Sequence, residues 1–177
     1  LVAFPTETVY GLGADATNET AVKKVYAAKG RPSDNPLIVT VSDIAMVEKY
    51  TQPFSDDAKA LMAKFWPGSL TMIFKLKPNA LSKAVTGGLD TAAFRFPKNQ
   101  ATLDLISKAG VPIVGPSANT SGKPSPTTAQ HVYHDLYGKI AAIVDDGPTT
   151  VGVESTIFDM SVATPSILRP GAVTKED

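Results

Sequence analysis

Cations and hydroxyl residues follow the ends of several predicted strands in this chain. The segment AKGRPSDNPL at 28–37 contains Lys29 and Arg31, and Arg95 lies within the apolar run TAAFRF. The segment GPSANTSGKPSP at 115–126 is rich in glycine and serine, and such a segment before a helix can bind phosphate through backbone N–H groups. Because no credible nucleophile accompanies these groups, they indicate an anionic ligand and catalysis by positioning and electrostatic stabilisation.

The stretch around Lys29 also has the composition of a helix end. Lys29 would be a cation in the last turn, Gly30 can adopt the left-handed conformation beyond it, and Pro32 prevents continuation. Taken alone, the stretch favours this structural role. The cations elsewhere favour an anion site as well, and the two interpretations are compatible.

Arg95 is flanked by two phenylalanines in a predicted strand. Alternation with a period of two places Phe94 and Phe96 on one face and Arg95 on the other. An arginine within such an apolar run needs a partner, which favours a ligand-binding role for it.

The elements that would position these residues alternate along the chain between strand-like and helix-like segments. One apolar stripe begins after Ser55, and another follows Ser125, which we expect to be the N-cap with Pro126 in the first turn. This alternation predicts an α/β fold, and the closely spaced later strands favour a mixed sheet. The predicted strands are 1–4, 36–41, 70–76, 91–96, 112–115, 141–144, 155–160 and 166–169.

Length and composition limit the classes of function. The 177 residues suit one domain, and 17 basic residues balance 17 acidic ones, so no global field attracts nucleic acid or a membrane. The absence of cysteine excludes disulfides, thiolate metal sites and cysteine nucleophiles. His131 and His134 lack an evident third ligand, so the sequence leaves any metal ligands unknown. No apolar run approaches the roughly 20 residues of a membrane span.

Seven motifs, in order from Leu1 to the end of the chain, resemble the YrdC-like family of threonylcarbamoyl-AMP synthases. The chain is most similar to the synthase domain of the two-domain members. The motifs are PTETVYGLGADA (5–16), KGRPSDNPLIV (29–39), WPGSLT (66–71), TAAFRFP (91–97), PSANTSGKPSPTTA (116–129), GVEST (152–156) and LRPG (168–171).

The resemblance implies a twisted, open, mixed β-sheet with flanking helices and a large concave, positively charged face. It implies a nucleotidyltransferase that condenses L-threonine, bicarbonate and ATP to threonylcarbamoyl-adenylate and pyrophosphate, for threonylcarbamoyladenosine modification of tRNA. It also implies that 1–177 is a synthase domain, and we expect a fragment without the N-terminal helix and any C-terminal domain.

The resemblance also implies roles for individual residues. Lys29 and Arg31 would serve catalysis by neutralising the triphosphate. The residues expected to hold L-threonine are Thr8, Thr40, Arg95, Gly115 and Ser155, with Thr40 standing where the family commonly has histidine. The residues expected to hold ATP are Arg31, Asn35, Thr91, Ser117, Asn119, Ser125 and Arg169.

The implied partners are ATP, L-threonine and bicarbonate, with Mg²⁺ on the pyrophosphate, a contact with tRNA or other RNA, and a separate threonylcarbamoyl transferase complex. The expected location is cytoplasmic, with no membrane contact. Two alternatives stay open. One is a double-stranded RNA- or tRNA-binding module without chemistry, and the other is a carbamoyl-adenylating domain of hydrogenase maturation.

Overall fold

The computed structural model describes residues 1–32 and 35–177. Residues 33 and 34, which belong to the Lys29–Val39 motif, lie outside the described residues. The strands are β1 (Val2–Phe4), β2 (Gly11–Asp15), β3 (Ile38–Thr40), β4 (Leu70–Lys75), β5 (Thr91–Arg95), β6 (Ile113–Val114), β7 (Ala142–Ile143), β8 (Thr156–Asp159) and β9 (Ser166–Arg169). The helices are α1 (Glu19–Lys29), α2 (Ile44–Glu48), α3 (Asp56–Phe65), α4 (Lys83–Thr86), α5 (Gln100–Ala109) and α6 (Ala129–Leu136).

The strands form one open mixed sheet in the order β7-β1-β2-β6-β3-β5-β4-β8-β9. The pairs β1–β7, β3–β5 and β4–β8 are parallel, and the other neighbours are antiparallel. The predicted α/β fold with a mixed sheet and flanking helices is therefore confirmed, and each of the eight predicted strands contains an observed one.

Strand β2 was missed in the sequence, where its glycines indicate a loop. The reason for these glycines is the ring of Phe4, which packs directly on the strand. A Cβ atom on Gly11 would lie 2.5 Å from Phe4 Cζ, and one on Gly13 would lie 3.1 Å from Phe4 Cδ1 and 3.0 Å from the carbonyl oxygen of Val2. Leu12 between them is fully buried in the main core. Packing against Phe4 therefore requires glycine in β2, although glycine has a low intrinsic preference for β-strands.

Helix α1 ends as its sequence predicts. Gly30 adopts a φ of 64° in the left-handed region, and the Arg31 backbone N–H donates to the carbonyl oxygen of Tyr26 at 3.2 Å. The Lys29 carbonyl oxygen then accepts a hydrogen bond from the Ser121 N–H at 2.9 Å. This end of the helix is thereby fixed against the segment at 115–126.

The expected N-cap of α6 is wrong by three residues. Thr128 caps the helix by accepting a hydrogen bond from the His131 N–H, and Ser125 lies before the helix with its hydroxyl donated to Glu154 at 2.6 Å. The carbonyl oxygen of Pro126 accepts from the Tyr10 N–H at 2.9 Å. These contacts with distant segments hold 125–126 outside the helix, and the hydroxyl of Thr128 serves as the cap instead.

The two faces of the sheet differ in character. One face contributes Val39, Phe94 and Met72 to the main hydrophobic core, together with residues of α1, α3 and α6. The other face carries Thr40, Arg95 and neighbouring residues, and only part of it is covered by a small second cluster that includes Ile106 of α5. The uncovered part holds the candidate site. In the described part of the chain, no helix is both long and apolar enough to cross a membrane.

Candidate functional site

A cavity of about 230 Å³ lies over the less covered face of the sheet, where β3, β5 and β9 end and β8 begins. Three arginines line it, Arg31, Arg95 and Arg169, together with Glu154. The volume is below the roughly 300–1,000 Å³ typical of pockets that enclose drug-sized ligands. The cavity therefore suits an anion of amino-acid size, with any larger ligand extending beyond it.

Arg95 is buried at 7% exposure and is held on three sides. Its Nη2 forms an ion pair with Glu7, its Nη1 donates to Thr8 Oγ1 at 2.8 Å, and its Nε donates to the Gly68 carbonyl at 3.3 Å. Glu7 is fixed in turn by Ser69 Oγ, 3.0 Å from Oε2. The partner that Arg95 requires is therefore internal. Within the described residues, one N–H on each Nη has no protein partner and can bind a ligand.

Ser155 connects Arg95 to Arg169. The Ser155 hydroxyl lies 2.7 Å from Thr71 Oγ1, whose residue pairs with Arg95 across β4 and β5. Arg169 donates to the Ser155 carbonyl from Nε at 3.1 Å and from Nη2 at 2.9 Å.

Burial lowers the pKa of Arg95, the Glu7 carboxylate opposes this effect, and the nearby Arg169 cation adds to it. The two cations thus lie near enough to repel each other, and a bound anion would relieve that repulsion.

Gly115 allows the backbone to approach the base of the cavity. A Cβ atom at this position would lie 2.4 Å from Thr40 Oγ1 and 2.9 Å from Phe4 Cζ. The Gly115 N–H donates to the Ile38 carbonyl at 2.8 Å. A ligand that contacts the Gly115 backbone would therefore use its carbonyl oxygen.

Lys29 points into the protein rather than into the cavity. At 3% exposure it donates from Nζ to the carbonyl oxygens of Ser117 and Asn119, the latter at 2.7 Å. Burial is the main reason that its pKa is lowered to about 8, and Arg31 lowers it further, whereas Glu154 and Asp135 raise it. The ammonium group therefore fixes the loop behind the cavity and adds positive charge there.

Lys29 is expected to lose its proton near pH 8. Because its pKa falls from 10.5 to about 8 on folding, the unfolded chain binds more protons between these values. The contribution of Lys29 to the free energy of unfolding should rise by roughly 3 kcal/mol as pH increases through that window. An NMR titration of lysine labelled at ¹³Cε, assigned with Lys29→Arg, measures this pKa. A midpoint above about pH 10 would contradict the burial described for Lys29.

The structure brings eight of the sequence-predicted site residues to the cavity wall. These residues are Thr8, Arg31, Thr40, Arg95, Gly115, Ser117, Ser155 and Arg169. Their roles toward individual ligands stay predictions.

The other five predicted residues do not line the cavity. Lys29 and Ser125 contact residues that do, through Ser117 and Glu154. Asn119 is buried, and its amide donates to the Thr120 and Lys123 carbonyls. Asn35 is exposed. Thr91 lies on the same face of β5 as Arg95 but about 13 Å away along the strand.

Two carboxylates at the site were missed in the sequence. Glu7 lies directly behind Arg95, and Glu154 pairs with Arg169 while its other oxygen accepts from Ser125. Both glutamates lie inside the quoted motifs. Because a buried arginine requires a counter-charge, that requirement could have identified them as its candidates.

The described residues contain no group of three or more histidine, aspartate or glutamate side chains placed to hold a metal ion. A metal at this site would therefore take most of its ligands from a bound ligand and from water. That arrangement is common for Mg²⁺ bound with phosphates.

The chain is similar to one protein family and to curated proteins that share one name. A family model, Sua5/YciO/YrdC, described as "Telomere recombination", matches residues 1–171. Threonylcarbamoyl-AMP synthase of Bacillus subtilis strain 168 is 60% identical over 176 residues, which are 99% of this chain and 51% of that protein. The protein of the same name from Pyrococcus abyssi is 50% identical over 177 residues, which are 100% of this chain and 52% of that protein.

A solved structure agrees with the sequence comparison. P. abyssi Sua5 complexed with L-threonine has a TM-score of 0.96 and 49% identity, covering 99% of this chain and 52% of that one. The chain thus spans about half the length of these relatives. Because the family model covers nearly every residue and the fold agrees throughout, this chain belongs to the Sua5/YciO/YrdC family.

Proposed function

We propose that this chain is a threonylcarbamoyl-AMP synthase domain, which condenses L-threonine, bicarbonate and ATP. The observation that carries the proposal is the convergence of Arg31, Arg95 and Arg169 on one small cavity. The names of the B. subtilis and P. abyssi relatives and the threonine complex of P. abyssi Sua5 support it. A cavity of amino-acid size with cations on several walls suits the joining of two anionic substrates.

The proposed reaction has two bond-forming steps. The threonine amine and bicarbonate give a carbamate and water. A carbamate oxygen then attacks the α-phosphorus of ATP, forming a C–O–P linkage while the bond from that phosphorus to the β-phosphate oxygen breaks. Threonylcarbamoyl-adenylate and pyrophosphate result, and an already ionised carbamate needs no general base. The protein's task is to hold two anions together, for which positioning and positive charge suffice.

The proposed roles follow the positions of the cations. Arg95 would bind the threonine carboxylate through its remaining N–H groups, as a bidentate pair. Arg31 and Arg169, on other parts of the cavity wall, would contact phosphate. Lys29 would hold the Ser117 loop in place and contribute charge from behind it.

Mg²⁺ is proposed to enter with ATP and to neutralise charge on the departing pyrophosphate. The donor set of the described residues fits a metal held mainly by phosphate oxygens, because carboxylates are few at the cavity. The adenylate would pass to a separate threonylcarbamoyl transferase complex that modifies tRNA. A tRNA contact and a cytoplasmic location are proposed on this basis alone.

Pyrophosphate release tests the proposal. With ATP, Mg²⁺, L-threonine and bicarbonate present, we expect steady release that falls to background when threonine or bicarbonate is omitted. Mass spectrometry should identify threonylcarbamoyl-adenylate in the complete reaction.

Release that is indifferent to threonine would contradict the proposal. Release that instead requires a carbamoyl donor would favour the carbamoyl-adenylating alternative. RNA binding that weakens steeply with salt and ignores both ATP and threonine would favour a binding module.

A further inference from the structure

Glu154 occupies a position between two groups that are suited to phosphate. Its Oε1 accepts the Ser125 hydroxyl at 2.6 Å, and its Oε2 pairs with Arg169 Nη1 at 2.8 Å. Serine hydroxyls and guanidinium groups are both common phosphate donors. The Glu154 carboxylate thus stands where the oxygens of a ligand anion would meet the same two donors.

The backbone at Glu154 is fixed, whereas its side chain is accessible. The Glu154 carbonyl accepts from the Ala172 N–H at 3.0 Å, and a Cβ atom on Gly171 would lie 2.3 Å from that carbonyl oxygen. The side chain is 38% exposed, and that of Arg169 is 36% exposed. The carboxylate can therefore leave its partners by side-chain rotation without moving the chain.

The Glu154–Arg169 pair differs in strength from the pair of Glu7 with Arg95. Glu7 and Arg95 are only 9% and 8% exposed, so separating them would leave buried charges. An ion pair as exposed as Glu154–Arg169 changes an equilibrium by less than about fivefold. A polyphosphate, with several charges, can therefore replace Glu154 but not Glu7.

We infer that Glu154 is a displaceable internal anion, which holds Ser125 and Arg169 together in the unliganded site and which a phosphate group replaces. This inference rests on the nucleotide role proposed for the cavity. It makes Glu154 a residue that lowers affinity for phosphate ligands, although it lies among groups that bind them. Its charge also keeps the unliganded site from presenting Arg169 without a counter-ion.

The variant Glu154→Gln tests the inference, because the amide keeps the shape and one acceptor while removing the charge. Isothermal titration calorimetry with inorganic tripolyphosphate and with ATP, in magnesium-free buffer at low salt, should give a Kd lower by about twofold to fivefold than the wild-type value. The gain should shrink as salt is raised, because exposed charges are screened. Glu48→Gln, an exposed carboxylate at the end of α2, is the matched control and should leave both Kd values unchanged.

Unchanged or weaker binding of tripolyphosphate by Glu154→Gln would overturn the inference. In a second ATP titration with Mg²⁺ added, weaker binding by Glu154→Gln that is absent without Mg²⁺ would also overturn it, by assigning Glu154 to the metal. The result is independent of pyrophosphate release: tighter tripolyphosphate binding without threonine-dependent release sustains the inference and refutes the proposed function. Unchanged or weaker tripolyphosphate binding together with threonine-dependent release would refute the inference and sustain the proposed function.

Discussion

Replacing Glu7 with alanine is expected to lower the free energy of unfolding by about 3–5 kcal/mol. Arg95 is buried at the end of β5, between β3 and β4, and Glu7 supplies its counter-charge. Removing the carboxylate leaves a buried cation whose remaining partners in the described structure are neutral oxygens, those of Thr8 and Gly68. Denaturant unfolding followed by circular dichroism measures the loss.

An exposed pair provides the matched control. Glu19 and Lys23 of α1 are 3.6 Å apart with side chains 55% and 64% exposed, so Glu19→Ala should cost less than about 0.5 kcal/mol. The double variant Glu7→Gln/Arg95→Gln removes both buried charges and should be more stable than Glu7→Ala. A loss below about 1 kcal/mol for Glu7→Ala would mean that water hydrates Arg95 or that another anion neutralises it.

The alternation of elements and the clustering of polar residues at strand ends were predictable from the sequence. Arg95 and Arg169 do end strands, and Thr40 ends the strand beside Arg95. The rule for ligands at the carboxyl ends of strands covers these residues. Because the sheet is mixed, the amino end of β8 reaches the same edge and brings Ser155 there. The family resemblance assigned Ser155 to the site, and the observed strand order supplies the physical reason for its position.

The partners of the charged residues could not be predicted. The sequence shows that Arg95 needs an anion, but Glu7 is separated from it by 88 residues, and only the folded chain brings them together. A ligand anion and an internal one satisfy the same electrostatic requirement, so composition cannot distinguish them. Local propensity likewise gave no indication that Phe4 would pack on the glycines of β2.

Loss of the Arg95 guanidinium is expected to weaken L-threonine binding about 100-fold while changing ATP binding by less than about threefold, since two charge-assisted hydrogen bonds amount to roughly 3 kcal/mol. Arg95→Gln is made together with Glu7→Gln, because a lone Glu7 carboxylate would remain buried without its cation. Titration calorimetry with L-threonine and with ATP gives both affinities for the same preparation.

Two comparisons separate carboxylate binding by Arg95 from a general loss of structure. Glu7→Gln alone keeps the Arg95 guanidinium and its bond to Thr8, so it should retain most of the affinity for L-threonine. L-threoninol, which lacks the carboxylate, should bind the wild type and the double variant equally weakly. A variant that loses ATP affinity as much as threonine affinity would instead place Arg95 at the phosphates. Arg169 lies close to Arg95 and donates to Ser155, and Arg169 is itself expected to contact phosphate. A phosphate-binding role for Arg95 is therefore the main alternative to carboxylate binding.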